Sequence, residues 1–211
     1  MKITIEQFQS IYRVSQMQID EFEQSTMYVQ ILTDKSVDEI NRMKLSKFNA
    51  LCRKIKKAFD LFSIEMNNKK PKDLVKANGN WYHLSYDLSK MTAGKYVEAA
   101  TFGNDIVGNI HKLMATMATP MKLTWKGLKI DDKKRSHTDI ADDMLQLDFE
   151  TAYHACVFFY VVFNKSIVDS LPYLQSQTDK KNEVAMEVMS LLKNLDGFTT
   201  AKWYQNMKTS V

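Results

Sequence analysis

Residues that break helices are scarce along this chain, and this scarcity limits the folds that it can adopt. Its 211 residues include only six glycines and three prolines, where roughly 12% of a typical chain is glycine or proline. So few turn-forming residues exclude a loop-rich β-sandwich, a collagen-like repeat and a Gly/Pro-rich linker protein. The chain is therefore predicted to be mainly α, a compact helical domain of about 7–9 helices.

Helix-start signals and the spacing of apolar residues predict where these helices lie in the sequence. Capping-box patterns begin helices after Thr4 and Ser36, the second with Val37 facing inward, and Ser46 is expected to cap a longer helix that ends near Met66. That longer helix carries apolar residues at i, i+3 and i+4, so it is the clearest amphipathic segment. The remaining predicted helices cover residues 18–32, 94–102, 105–117, 148–163 and 182–195, with a short end piece around Trp203.

A single strong β signal interrupts the helices. Two extended segments, 72–77 and 80–84, flank Asn78-Gly79, the dipeptide most typical of a type I′ turn. One small β-hairpin is therefore predicted near residues 72–84. Residues 121–135 show no clear period and are expected to form a basic, exposed connector. The chain is predicted to be one domain over 1–211, which could subdivide into a helical part at 1–70 and a hairpin plus helical core at 71–211.

Charge is arranged in blocks, although the net charge is only +4. Residues 1–43 carry a net charge of −3, residues 44–76 carry +7, and residues 77–121 are neutral. Residues 122–135 then carry +4 and residues 136–211 carry −4. Alternating blocks of this kind can steer unlike surfaces together, whether the partner is a phosphate backbone or another copy of the chain.

Cysteine usage and hydropathy favour a soluble protein of a reducing compartment. Cys52 and Cys156 each lie in an apolar helical pattern, which predicts free core thiols and not a disulfide framework. The first ten residues lack an apolar segment, so no signal peptide is expected. The helix at 148–163 is apolar almost all round, yet the run at 155–163 is far shorter than the roughly 20 residues that span a bilayer. That helix is therefore expected at the centre of the core.

An acidic cluster near residue 140 is the densest polar feature of the sequence. Asp139, Asp142 and Asp143 share one helical face, and three carboxylates could hold Mg²⁺. The simpler interpretation is local, because acids favour the first turn of a helix and Ser136 followed by Asp139 resembles a capping pair.

Other candidate chemistry is weaker. Cys156 and His154 are two residues apart and cannot share a helical face, so a core cysteine is favoured over a nucleophile. Residues 103–108 begin a helix but lack the glycine spacing and the Lys-Ser/Thr pair of a phosphate-binding loop. No catalytic residue, metal or cofactor is predicted, and the chain is expected not to be an enzyme.

The basic block at 44–76 supplies the binding candidates. Its lysines could follow a phosphate backbone, and the two aromatic residues of the hairpin could stack on bases. A solvated face and contact with an acidic protein are the alternatives. The thirteen methionines fit core packing, with a minority free for a partner surface. The candidate partner or nucleic-acid contacts are Arg53, Lys54, Lys56, Lys57, Lys69, Lys70, Lys72, Trp81 and Tyr82.

Three parts of the chain together resemble a known class of proteins. They are residues 5–12 (IEQFQSIY), the hairpin turn 78–82 with the helix at 91–100 (MTAGKYVEAA), and residues 153–160 (YHACVFFY). The combination resembles small helical structural proteins of tailed bacteriophages, particularly crAss-like phages. The segment at 91–97 is also similar to phage tail-assembly chaperones.

The resemblance implies a non-catalytic role in building the virion. The leading hypothesis is a subunit of a tail or head–tail connector ring that is made in the host cytoplasm and resides in the virion. Such a subunit would bind copies of itself and other phage structural proteins, with no membrane partner. One alternative is a tail-assembly chaperone that acts only during morphogenesis, and another is a nucleic-acid-binding accessory protein that uses the basic block at 44–76.

Overall fold

A computed structural model describes residues 2–65, 70–131, 133 and 135–177, with side chains left undescribed at 56–65, 164 and 167–177. Within these residues the chain is mostly helical, as predicted, and has one four-stranded antiparallel sheet. The α-helices are α1 (Ile5–Ser15), α2 (Glu21–Thr33), α3 (Val37–Asn41), α4 (Leu45–Glu65), α5 (Ala93–Phe102), α6 (Ile106–Met117), α7 (His137–Met144) and α8 (Phe149–Gln177). The strands are β1 (Leu74–Ala77), β2 (Asn80–Leu84), β3 (Ala118–Thr124) and β4 (Gly127–Ile130).

Side-chain caps set the start of several helices. Thr4 and Ser36 form the predicted capping boxes of α1 and α3, and Ser136 forms a third with Asp139 at the start of α7. The predicted cap at Ser46 is wrong, because α4 begins one residue earlier. The backbone N–H groups of its first turn bond to the carbonyl oxygen of Lys44, so Ser46 lies inside the helix.

The sheet is larger than the predicted hairpin. Its first half is confirmed: β1 and β2 pair antiparallel across Asn78-Gly79, whose φ angles of 45° and 80° are those of a type I′ turn. The prediction of an irregular connector over 121–135 is wrong, because β3 and β4 form a second hairpin there. The sheet order is β1-β2-β3-β4, so both hairpins lie side by side.

The main core lies between the inner face of the sheet and helices α1, α5, α6, α7 and α8. The predicted central helix is confirmed: α8 buries residues on nearly every side up to Phe163 and continues to Gln177. Phe8 of α1 stacks on Phe149 with 3.5 Å between the ring centroids, so α1 belongs to this core. Cys156 is a buried free thiol and Cys52 a half-buried one, as predicted.

A second, smaller core joins α2, α3 and α4. It consists of Val29, Ile40, Phe48 and Ile55. Val37, which was predicted to face inward, is 48% exposed, because the short helix α3 buries only Ile40. The boundary between the two cores does not fall at residue 70 of the chain, because α1 packs with the helices that follow residue 70. The helix predicted at 182–195 and the end piece around Trp203 lie outside the described residues.

None of the described helices combines the length and apolar character needed to cross a bilayer.

Candidate interaction surface

The strand register shows which side chains share the outer face of the sheet. Lys76, Trp81, Met121 and Ile130 are consecutive partners across the four strands, so their side chains share one face. Val75, Tyr82 and Leu84 lie on the opposite face and are buried in the main core. The fold therefore covers this inner face along β1, β2 and the start of β3 and leaves the outer face in contact with solvent.

The second hairpin makes this outer face unusually apolar. Leu123 is 74% exposed and Ile130 is 62% exposed, and Trp125 in the turn between their strands is 90% exposed. Single exposed apolar residues are common, but neighbouring ones on a flat sheet face mark a surface that another molecule covers. The exposed edge and turn of β3 and β4 are therefore the best candidate for a binding surface.

A cleft of about 470 Å³ opens on the same face. Its floor includes Met121 and Ile130 from the sheet, and its wall includes Lys90 and Met91 from the segment before α5 and Lys95 from the first turn of α5. The further lining residues are His83, Ser85, Asp87, Thr116, Met117 and Thr119. This sheet cleft thus combines an apolar floor with a basic wall.

The lysines on this side of the protein differ in whether they already form an ion pair or lie over an aromatic ring. Lys90 Nζ lies 3.0 Å from Asp87 Oδ2, whereas Lys95 forms no ion pair within the part of the chain that the structure describes. Two further lysines lie over aromatic rings: Lys76 Nζ is 5.7 Å from the centroid of Trp81, and Lys126 Nζ is 4.5 Å from that of Trp125. Lysines held in this way keep their charge available to an anionic partner.

A buried polar cluster holds the first hairpin against α7. The carboxylate of Asp143 accepts hydrogen bonds from Asn78 Nδ2 at 2.9 Å, from Asn80 Nδ2 at 2.7 Å and from the hydroxyl of Tyr82. Arg135 Nη1 donates to the same carboxylate at 2.7 Å and also to the Tyr82 hydroxyl oxygen. One acid thereby fixes both the type I′ turn and the strand that carries Trp81.

The protonation of this cluster follows from its contacts. Burial alone would raise the pKa of Asp143, but the hydrogen bonds from Arg135, Tyr82, Asn78 and Asn80 outweigh burial and lower the pKa to about 2. Burial and the adjacent carboxylate together raise the pKa of Tyr82. At neutral pH the cluster therefore consists of a carboxylate, a guanidinium and a neutral phenol, and all of its charge is compensated internally.

Trp81 and Tyr82, which were predicted together as stacking residues, separate onto opposite faces. Trp81 is half-buried on the outer face beneath Lys76. The ring of Tyr82 is fully buried and its hydroxyl is bonded to Asp143. The expectation that Tyr82 stacks on a base is therefore wrong, because adjacent residues of a strand face opposite sides of the sheet.

The predicted basic contacts do not form one surface together with the hairpin. Arg53 and Lys54 are exposed on α4, which packs against α2, and Arg53 Nε donates to the carbonyl oxygen of Asn49 at 3.3 Å. Lys70 and Lys72 line a separate cleft of about 250 Å³ together with Lys2, Asp148 and Glu150. The side chains of Lys56 and Lys57, and all of Lys69, lie outside the described parts of the chain.

The three aspartates near residue 140 serve different structural roles. Asp139 completes the capping box with Ser136, which confirms that interpretation. Asp142 is exposed, and Asp143 is fully used in the buried cluster. No group of three potential metal ligands converges among the described residues.

The helix that begins near residues 103–108 is capped by a carboxylate. Asp105 Oδ1 accepts a hydrogen bond from the Gly108 N–H at 2.9 Å, so an acid already occupies the anion-favouring end of α6.

Sequence reasoning missed the apolar residues of the second hairpin. Met121 and Leu123, and then Leu128 and Ile130, alternate with polar residues, and this period of two is the signal that could have identified both strands. The comparisons with known proteins add no relative: no protein-family model, curated protein or solved structure matches the chain.

Proposed function

We propose that this chain is a non-enzymatic structural subunit, and that the outer face of the sheet is the surface through which it binds a neighbouring protein. One observation carries the proposal: Leu123, Trp125 and Ile130 are largely exposed on a sheet whose first two strands pack their other face into the main core. Covering each such side chain contributes about 1.5–3 kcal/mol. A partner that covers all three would gain about 4.5–9 kcal/mol before the entropic cost of association, and contacts around the sheet cleft would add to that gain.

The composition of this surface suits a protein partner. An apolar centre with aromatic and methionine side chains and a charged rim is typical of the core and rim of protein–protein interfaces. Trp81, Met121 and Ile130 form such a centre, and Lys76 and Lys95 lie beside it. The cations favour an acidic partner, which would be attracted before contact is made.

We further propose that the assembly is a phage particle, in which the chain would serve as a subunit of a tail or head–tail connector ring. This part of the proposal is supported by the resemblance of residues 5–12, 78–82, 91–100 and 153–160 to phage structural proteins. A tail-assembly chaperone would use the same surface during morphogenesis and then be released.

A nucleic-acid-binding role is the second candidate, and the lysine–tryptophan pairs favour it. Trp125 and Trp81 present ring faces beside Lys126 and Lys76, and single strands bind to proteins through stacking on aromatic rings and through cations. Such binding would weaken steeply with added salt. Fluorescence titration of tryptophan with a single-stranded oligonucleotide in low and high salt tests it, and absence of quenching in low salt would reject it.

Mass spectrometry of purified particles of the phage that encodes this chain tests the leading proposal. A structural subunit would be found in mature particles at a fixed copy number relative to the other structural proteins. Presence in infected-cell lysates together with absence from mature particles would favour the chaperone. Absence of the chain from every particle and assembly intermediate would reject both roles.

A further inference from the structure

A second exposed apolar surface lies at the end of α1 and the start of α2. Tyr12 is 42% exposed there, Met17 46% and Phe22 64%. We refer to residues 12–23 as the α1–α2 surface. Helix α2 packs on α1, α3 and α4, whereas the sheet packs on α6 and joins α7 through the buried cluster. The α1–α2 surface and the sheet cleft therefore belong to different parts of the fold.

The α1–α2 surface is acidic. Residues 12–23 contain Asp20, Glu21 and Glu23 against a single base, Arg13. Asp20 caps α2 by accepting from the Glu23 N–H at 2.8 Å, and acids in a first turn stabilise their own helix. Among the described residues, however, Glu21 and Glu23 form no ion pair, so their charges are available to a partner.

The surface around the sheet cleft has the opposite charge. Lys126, in the turn of the second hairpin, lies over Trp125, whereas Lys122 and Lys129 are partners on the opposite face of the sheet and do not contribute to this surface. Lys95 lines the cleft and Lys76 lies over Trp81 on the same face of the sheet, while the carboxylate of Asp87, which also lines the cleft, is already paired with Lys90. Both surfaces thus pair exposed apolar side chains with charge, and the two charges are of opposite sign.

We propose that the sheet cleft of one copy binds the α1–α2 surface of a second copy, an inference that rests on the proposed function as an assembly subunit. Phe22 supplies an apolar side chain for the floor formed by Met121 and Ile130, and the free acids beside it meet Lys95 and Lys126. Because the contact joins two different surfaces, each bound copy keeps one surface of each kind. The contact can therefore repeat from copy to copy and either close into a ring or continue as a filament.

Two single substitutions test the contribution of each surface on its own. Ile130→Glu places a negative charge in the sheet cleft, against the acids of the partner, and Phe22→Lys places a positive charge on the α1–α2 surface, against the lysines. Both side chains are more than 60% exposed, so the fold should tolerate either change, although Phe22→Lys also removes a ring contact with Phe48 at 5.4 Å between centroids. Val97→Glu is the matched control, because Val97 on α5 is 63% exposed and belongs to neither surface. Circular dichroism checks that all variants remain folded.

Sedimentation velocity of the full chain is the measurement. We expect the wild type and Val97→Glu to form complexes larger than a dimer at micromolar concentration, and each interface variant to bind at least tenfold more weakly and sediment as a monomer. An equimolar mixture of Ile130→Glu and Phe22→Lys should form dimers only, because one intact surface of each kind is left. Added salt should weaken all of these complexes.

Specific results would overturn the inference. A Phe22→Lys protein that assembles like the wild type would show that the sheet cleft binds something other than the α1–α2 surface. A wild-type chain that stays monomeric at about 100 μM, far above typical specific dissociation constants, would exclude self-binding. Binding of an oligonucleotide that Ile130→Glu abolishes, without self-association, would assign the cleft to nucleic acid instead. The proposed function is tested independently of this contact: it would be rejected if the chain were absent from particles and assembly intermediates.

Discussion

Replacement of Asp143 with asparagine is expected to destabilise the fold by about 2–3 kcal/mol at pH 7. The substitution keeps the size of the side chain but removes the charge that accepts four hydrogen bonds. A pKa lowered from 3.8 to about 2 corresponds to about 2 kcal/mol of folded-state stability at neutral pH. The loss should stay below that of a fully buried ion pair, because the side chain of Arg135 is 25% exposed and can regain water.

The same carboxylate predicts a pH dependence of defined sign. Its pKa is lower in the folded chain than in the unfolded chain, so the unfolded chain binds the proton more readily. The stabilisation from Asp143 is therefore complete above about pH 5 and is lost as the pH falls toward 2. At pH 3 about 1 kcal/mol of it should be gone, so the difference between the wild type and Asp143→Asn narrows by that amount.

Urea unfolding followed by tryptophan fluorescence at pH 7 and pH 3 measures both effects. Asp142→Asn is the matched control: it removes an exposed neighbouring charge and should change stability by less than about 0.5 kcal/mol. If Asp143→Asn unfolds at the same urea concentration as the control, or if its difference from the wild type does not narrow at pH 3, the assigned role of the buried cluster is wrong.

Three further substitutions test the fold. Gly79→Ala should cost about 1 kcal/mol by urea unfolding, because Gly79 has a φ of 80°, whereas Gly94→Ala meets open space at an ordinary φ and should be neutral or slightly stabilising. Met144→Ala should cost about 2–5 kcal/mol because this side chain is fully buried, and a cost near that of the exposed control Met17→Ala would contradict its place in the core. Ser36→Ala should cost about 1 kcal/mol through loss of the capping box, and an unchanged unfolding midpoint would show that α3 needs no cap.

Local signals predicted the helices and one hairpin because their causes lie within a few residues. Asn78-Gly79 specifies a type I′ turn by itself, and the Thr4 and Ser36 boxes specify helix starts. The second hairpin turns at Trp125-Lys126, where the only conformational marker is Gly127 with a φ of 103°. Its turn therefore carries no dipeptide signal as strong as Asn78-Gly79.

The buried cluster was beyond local reasoning for a different reason. Asp143 and Asn78 are 65 positions apart in the sequence. Their contact forms only because the sheet packs against α7, so no local sequence pattern predicts it. Trp81 and Tyr82 are adjacent in a segment predicted to be a strand, so the alternation of strand residues already prevented both from facing solvent.

Docking of the sheet cleft onto the α1–α2 surface of another copy is tested most directly by zero-length coupling of lysine to carboxylate. A mixture of ¹⁴N- and ¹⁵N-labelled chains identifies which couplings join different copies. The expected products link Lys95 or Lys126 of one copy to Glu21 or Glu23 of another, and Phe22→Lys should remove them. Assembled chains in which Lys95 and Lys126 couple only to acids other than Glu21 and Glu23 would contradict the proposed contact.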